Sequence, residues 1–211
     1  MAKLPGPPPV TKLRRVPPVV ATLRAGTKLW RIYFRDGSYP ATWDQMRYNG
    51  PVEGARFDHH LDPPGAQYRG ILYAATGDDA IATCIAEVFQ DTRLVDTRRN
   101  EPWLAAFALI EDVLLLDLTG KWPTRARASA NINSGPRPRC QRWSSTIYDS
   151  YPDLGGLYHA SSMNGNEPAV ALYERVAKAL PRLPVLNGPL SDAPLLTPIE
   201  RIAAELGYDV I

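Results

Sequence analysis

The stretch KLWRIYF, residues 28–34, marks the point where regular structure is expected to begin. Its even-numbered side chains face one way and its odd-numbered side chains, among them Arg31 and Tyr33, face the other, which is the period of a strand. Its β-branched and aromatic content also favours a strand. We therefore expect a chain in which a sheet forms the centre of the domain.

Other segments along the chain have the same character. The runs at 105–110 and 113–118 are both apolar and are separated by Glu111 and Asp112, which predicts a tight hairpin between buried strands. The strand candidates are ARFD (55–58), GILYAAT (70–76), AAFALI (105–110), VLLLDL (113–118), GLYHAS (156–161) and AVALYER (169–175).

Helical periodicity is found in three places. Residues 78–90 bring Ile81, Ile85, Val88 and Phe89 to one face, residues 139–148 suit a second helix, and a third begins near Thr197 and stops at Gly207. Strands outnumber helices and do not alternate with them regularly. This order argues for an α+β fold rather than a doubly wound sheet.

The first 26 residues are rich in proline, which fixes φ and removes a backbone donor. We expect residues 1–26 to form an extended arm without helix or sheet, laid across the domain surface, with a disordered leader as the alternative. Residues 27–211 then form the main domain.

Composition sets the broad class. The chain has 211 residues, of which 45% are hydrophobic and 22% charged, with a net charge of +2. This is ordinary globular usage without a polyanion-binding signal. An apolar run of about 18 residues, as a membrane span needs, does not occur. Two distant cysteines and an N-terminus without an apolar signal region predict a cytoplasmic protein.

Two arginines are candidates for binding an anion. Arg31 lies in an apolar strand, where it either pairs with an anion or reaches water from an edge position. Arg56 is either a second half of a diphosphate clamp or a member of a loop salt bridge. Five further arginines between 125 and 142 form a basic group that suits a solvated face, a partner contact or a nucleic acid.

The remaining candidates have ordinary interpretations on pattern alone. Helical spacing points Glu87 away from the apolar face of its helix, so it is solvated unless a loop or strand covers that side. Ser161 and Ser162 suit a turn. The cluster around His59 and His60 lacks a second group of ligands, so we expect no metal site.

The order of these segments resembles the RES-domain family. The resemblance spans about residues 28–176. It is carried by LWRIYF (29–34), GARFD (54–58), LYAAT (72–76), IAEVFQ (85–90), WSSTIYD (143–149), GLYHASSM (156–163) and ALYER (171–175). It implies an ADP-ribosyltransferase-like fold, with small, mostly antiparallel sheets and flanking helices around an NAD cleft.

The resemblance also implies an activity. Family members are toxins that break the nicotinamide–ribose bond of NAD, and an NAD phosphorylase that uses inorganic phosphate as co-substrate is favoured here. The implied site needs no metal and no cofactor beyond substrate NAD. Its catalytic residues are Arg31, Glu87 and Ser161, and its substrate-binding residues are Arg56, Tyr73, Tyr33 and Ser162. Of the two serines, Ser161 is taken as catalytic because it ends the GLYHAS strand.

Partners and alternatives follow from the same resemblance. An Xre-like antitoxin is the expected protein partner, a homo-oligomer is compatible with the family, and nucleic acid enters only through the antitoxin. The alternative activities are NAD glycohydrolase and ADP-ribosyl transfer to a macromolecule. A non-catalytic nucleic-acid-binding module is the alternative from a different class.

Overall fold

The protein is described by a computed structural model over residues 4–211. Its strands are β1 Val20–Leu23, β2 Lys28–Phe34, β3 Arg47–Gly50, β4 Gly65–Ala75, β5 Leu94–Val95, β6 Pro102–Ala108, β7 Val113–Asp117, β8 Gly156–Ala160, β9 Pro168–Tyr173, β10 Leu186–Pro189 and β11 Asp209–Val210. Its α-helices are α1 Val10–Leu13, α2 Ala80–Val88, α3 Trp122–Arg125, α4 Arg137–Ser150 and α5 Ala193–Leu206. Two 3₁₀ helices span Ala130–Asn133 and Glu174–Ala179. Within residues 4–211, no helix combines the length and apolar character that a membrane span requires.

Nine of the strands form one sheet, in the order β1-β7-β8-β9-β4-β2-β6-β10, with β3 paired to β4. Its pairings are antiparallel except that of β7 with β8. Strands β5 and β11 form a separate parallel pair. The expected α+β fold with mostly antiparallel pairing is confirmed, although the pairing unites most strands in one sheet instead of several small ones.

Strand β2 lies between β6 and β4 and is paired unequally with the two. It pairs with β6 along its whole length but with β4 only at Trp30 and Ala75. Leu29 and Tyr33 on one face and Ile32 on the other enter different core clusters, which confirms the alternation expected for this strand. Because β2 and β4 separate beyond one residue pair, the sheet opens at this point.

Helix α2 lies beside this opening. It is shorter at both ends than the predicted 78–90 helix. Ile85 and Phe89 are buried as expected, but Val88 is 37% exposed and does not join the core. Small side chains such as Ala82 and Ala86 are buried in its place, so the helix packs on more than one face.

The N-terminal segment is packed onto the domain. Leu4 and Leu13 are buried, and the indole of Trp143 donates a hydrogen bond to the Pro5 carbonyl over 2.8 Å. The expectation of neither helix nor sheet is wrong for α1 and β1, which form where prolines are absent, between Pro9 and Pro17 and after Pro18. Residues 1–3 of the predicted arm lie outside the described residues.

Two local predictions fail because tertiary partners replace local ones. Strands β6 and β7 do not form a hairpin: Leu109 and Ile110 between them bond instead to Thr27 and Ala179. The segment 55–58 is a turn and not a strand. The C-terminal helix begins at Ala193, four residues before the predicted cap, and ends as predicted at Gly207, whose φ is +70°.

The β8–β9 pairing depends on Gly156. A Cβ atom there would lie 2.2 Å from the carbonyl oxygen of Ala171 on the neighbouring strand. We predict that Gly156→Ala lowers the free energy of unfolding by about 1–3 kcal/mol, because the backbones must move apart. Gly65→Ala, whose Cβ meets nothing within 4 Å, is the control and should stay within about 0.5 kcal/mol. Urea unfolding measures both, and equal stabilities for the two variants would contradict the prediction.

Candidate active site

A cleft of about 330 Å³ lies where β2 and β4 separate. The residues that would have continued the β2–β4 ladder, including Arg31 and Tyr73, form part of its wall. Five of the seven residues predicted for the site line this cleft: Arg31, Arg56, Tyr73, Glu87 and Ser162.

Glu87 is held on the cleft side of α2 by the two serines. The Ser161 hydroxyl donates to Glu87 Oε1 over 2.6 Å, and the Ser162 backbone N–H donates to the same oxygen over 3.2 Å. Helical spacing predicted a solvated carboxylate unless a loop covered that face. The loop after β8 covers it, and Glu87 is half-buried. Ser161 is 1% exposed and reaches the site through Glu87.

The loop after β8 is fixed to α2 at a second point. Asn164 donates from its side chain to Asp79 Oδ2 over 2.7 Å and to Thr83 Oγ1 over 3.0 Å. Within the loop, Ser161 Oγ accepts from the backbone N–H groups of Met163 and Asn164, each over 3.1 Å. These contacts leave the serine hydroxyl one orientation, in which its proton points to Glu87.

Arg31 reaches the cleft with part of its hydrogen-bonding capacity unused. Its Nη1 donates to the carbonyls of Trp43 and Gln45 over 3.0 and 3.3 Å, whereas Nε has no partner among the described residues. Burial lowers the pKa of the guanidinium to about 10, so it keeps its charge at neutral pH. A half-buried cation whose buried Nε is an unused donor suits an anionic ligand.

Arg56 links two loops at the other wall. Its Nη1 donates to the carbonyl of Gly135, and its Nη2 donates to Ser162 Oγ over 3.1 Å. Ser162 therefore connects this guanidinium to Glu87, since its backbone N–H binds that carboxylate.

Tyr73 and Tyr33 have different positions. The phenol of Tyr73 accepts from the Phe57 backbone N–H over 3.1 Å, and burial raises its pKa, so the group stays neutral. Tyr33 does not line the cleft: its hydroxyl donates to Asn187 over 2.8 Å, and its ring lies 5.8 Å from the Arg31 guanidinium. The structure therefore brings Tyr33 to Arg31 but not to the cleft.

Sequence reasoning missed two groups of the cleft wall. Arg137 is the first residue of α4 and donates to Gln90 Oε1 over 2.8 Å; it had been counted only in the basic group of residues 125–142. His159 is buried on β8, two residues before Ser161. The period of a strand, which places both on one face, was the signal that could have found it.

The other arginines of the basic group lie elsewhere. Arg125, Arg127 and Arg142 are exposed, and Arg139 donates to the carbonyl of Leu4. The group is therefore divided between the surface, the N-terminal segment and the cleft.

The histidine cluster belongs to a separate buried network. Asp58 accepts from Arg47 over 2.8 Å and from the Val52 N–H over 2.7 Å, and it also contacts His60 Nδ1. Burial raises the pKa of this carboxyl, but His60, Arg47 and Val52 outweigh it and lower the pKa to about 2. Within residues 4–211, no group of three or more His, Cys, Asp or Glu side chains is arranged to hold a metal.

All three cleft arginines have neutral partners. Carbonyl, amide and hydroxyl oxygens accept from Arg31, Arg56 and Arg137, and no ion pair involves any of them in the described part of the chain. Arg47 and Arg69, outside the cleft, are paired with carboxylates. The cleft therefore contains three guanidinium charges against the one carboxylate of Glu87, and this surplus suits an anionic ligand.

Comparison with known proteins gives one family and one fold. The family model described as RES domain matches residues 28–195. A chain in the crystal structure of the M. tuberculosis MbcT-MbcA toxin-antitoxin complex superposes with a TM-score of 0.55 at 12% identity, covering 89% of this chain and 94% of that chain. At this identity the likeness shows the fold alone. No curated protein matches the chain.

His159 makes stability depend on pH. Burial and then Arg56 lower its pKa from 6.5 to about 4, against the Ala160 carbonyl, which raises it. As the pH falls, this histidine is therefore protonated in the unfolded chain before it is protonated in the folded one. As a result, the free energy of unfolding decreases by about 3 kcal/mol between pH 6.5 and pH 4.

We predict that His159→Gln removes this loss. Urea unfolding at pH 7, 5.5 and 4 measures the difference in unfolding free energy between wild type and variant. Between pH 7 and pH 4 the wild type should lose about 3 kcal/mol of unfolding free energy relative to the variant. His59 is present in both proteins, so its own titration cancels. A difference that stays constant between pH 7 and pH 4 would show that His159 keeps an ordinary pKa.

Proposed function

This chain belongs to the RES-domain family, and we propose that it is a toxin-type enzyme that breaks the nicotinamide–ribose bond of NAD and transfers the ADP-ribosyl group to inorganic phosphate. The observation that carries the proposal is Glu87, a carboxylate fixed by Ser161 and Ser162 in a cleft lined by three arginines. NAD needs both features, because its diphosphate is anionic and the bond to be broken leaves a cationic ribose.

The reaction requires a negative charge beside the ribose. As the bond to nicotinamide lengthens, positive charge develops on the ribose as in glycoside cleavage. A preorganised carboxylate stabilises that charge without reorganising at the moment of reaction. Both serine hydrogen bonds end on Glu87 Oε1, which leaves Oε2 to face the ribose. Nicotinamide is a cation within NAD and departs neutral, so no general acid is needed.

The neighbouring residues bind and orient the substrate. Arg31 and Arg56 grip the diphosphate, for which planar guanidinium groups have matching geometry. Tyr73 stacks on nicotinamide or ribose. Ser161 orients Glu87, and Ser162 links Arg56 to that carboxylate. Tyr33 packs against Arg31, with its ring 5.8 Å from the guanidinium, instead of contacting the substrate.

We also propose an antitoxin partner. The similar fold described above comes from a toxin-antitoxin complex, and family members are paired with Xre-like antitoxins that block the cleft. Residues 27–211 would form the catalytic unit of such a cytoplasmic toxin, with the 1–26 segment packed along its side.

The proposed function is tested by the fate of NAD. The purified protein is incubated with NAD, with and without inorganic phosphate, and nicotinamide and the ADP-ribose product are followed by mass. Phosphate-dependent formation of ADP-ribose-1''-phosphate is expected. Equal loss of NAD without phosphate would identify a glycohydrolase instead. Label transferred from NAD to a protein or nucleic acid would identify a macromolecular ADP-ribosyltransferase. Salt-dependent nucleic-acid binding without NAD loss would leave a non-catalytic module.

Glu87→Gln tests the carboxylate. The variant keeps the shape and the serine contacts but removes the charge, so we predict that kcat falls roughly 100- to 1000-fold, as on removal of one preorganised electrostatic group. Glu205→Gln makes the same chemical change at an exposed position of α5 and should leave kcat unchanged. Near-normal turnover of NAD by Glu87→Gln would rule out the role given to this carboxylate.

A further inference from the structure

We propose that Arg137 binds the inorganic phosphate that accepts the ADP-ribosyl group. This inference rests on the proposed function and adds a binding residue that the family resemblance did not indicate. It concerns the second substrate alone, so Arg137 is expected to act on phosphate and not on NAD.

The position of Arg137 links it to the reacting centre. Arg137 lines the cleft and is half-buried. Nη2 donates to Gln90 Oε1 over 2.8 Å, and Gln90 Nε2 donates to the backbone carbonyl of Glu87 over 2.7 Å. Arg137 is therefore held beside the turn of α2 that carries the carboxylate.

A charge count separates Arg137 from the other two arginines. NAD carries one negative charge on each phosphate of its diphosphate and one positive charge on its nicotinamide ring. Arg31 and Arg56 compensate the diphosphate, and Glu87 faces the cationic end. Arg137 is then left without a counter-charge even when NAD is bound, because its protein partner Gln90 is neutral. A phosphate anion bound beside Glu87 would offset this charge.

The surroundings of Arg137 favour a small oxyanion. It is the first residue of the 14-residue helix α4, so the positive end of the helix dipole adds to its charge. Guanidinium donates two parallel hydrogen bonds to phosphate, which fixes the orientation as well as the position of the acceptor. Water as acceptor would draw no comparable benefit from this charge.

The bond changes balance with phosphate in this place. An oxygen lone pair of HPO₄²⁻ forms the new bond to the ribose carbon while the bond to the nicotinamide nitrogen breaks, and that electron pair leaves with neutral nicotinamide. The product is the ADP-ribose phosphomonoester. It retains the proton of the hydrogen phosphate until solvent removes it.

Steady-state kinetics with phosphate and NAD varied in turn test the inference. Arg137→Gln should raise the KM for phosphate about tenfold or more, as expected for loss of a hydrogen bond between charged groups, while the KM for NAD changes less than about twofold. Arg137→Lys retains the charge but not the paired donors and should give an intermediate KM for phosphate. Arg142→Gln, an exposed site on the same helix, should leave both constants unchanged.

The outcomes are separable. An unchanged KM for phosphate in Arg137→Gln overturns the inference, and so does an equal rise in both KM values, which would show a general disturbance of the cleft. Thermal melting of each variant identifies a folding defect. If Arg137→Gln has such a defect, the KM values of Arg137→Lys for phosphate and for NAD decide instead. If wild-type protein turns over NAD without any phosphate dependence, the proposed function fails first, and the inference fails with it.

Discussion

Strands β2 and β4 are paired at a single position, Trp30 with Ala75. The candidate site depends on this short pairing, because the cleft lies where the two strands separate. Each strand pairs over a longer stretch with its other neighbour, so the sheet is firm on both sides of the opening. Glu87 lies on α2, which packs on β2 and β4, and it bonds to the Ser161–Ser162 turn that follows β8. The Glu87 carboxylate is thus also a structural link between α2 and the loop after β8.

The electrostatic organisation follows a second constraint. A buried guanidinium needs hydrogen-bond acceptors, and carboxylates are its usual choice, as for Arg47 and Arg69. In the cleft the acceptors are neutral oxygens, and no carboxylate of the described residues forms an ion pair with these guanidinium groups. Lining a cleft without an ion-pair partner, and not the neutral acceptors alone, sets these three arginines apart, because Arg175 outside the cleft also donates to backbone carbonyls.

The sequence predicted those parts of the fold that are specified locally. Alternation along 28–34 and the cap at Gly207 are properties of neighbouring residues, and both are found in the structure. The 105–118 hairpin failed because Thr27 and Ala179, distant in sequence, took the backbone bonds of its turn. Helical spacing could not orient Glu87 toward a site, since the loop that covers it lies more than seventy residues away. Arg137 was missed because nothing near it in sequence indicates which cleft it faces.

The uncompensated cleft has a consequence for the protein's own persistence. The three cleft arginines have no ion-pair partner among the described residues, and an anion that binds the folded cleft but not the unfolded chain supplies a counter-charge. By mass action the folded state then gains free energy with the concentration of the ligand. The free energy of unfolding is thereby coupled to the anion content of the surroundings, so the folded state is less stable wherever an anion that fits the cleft is scarce.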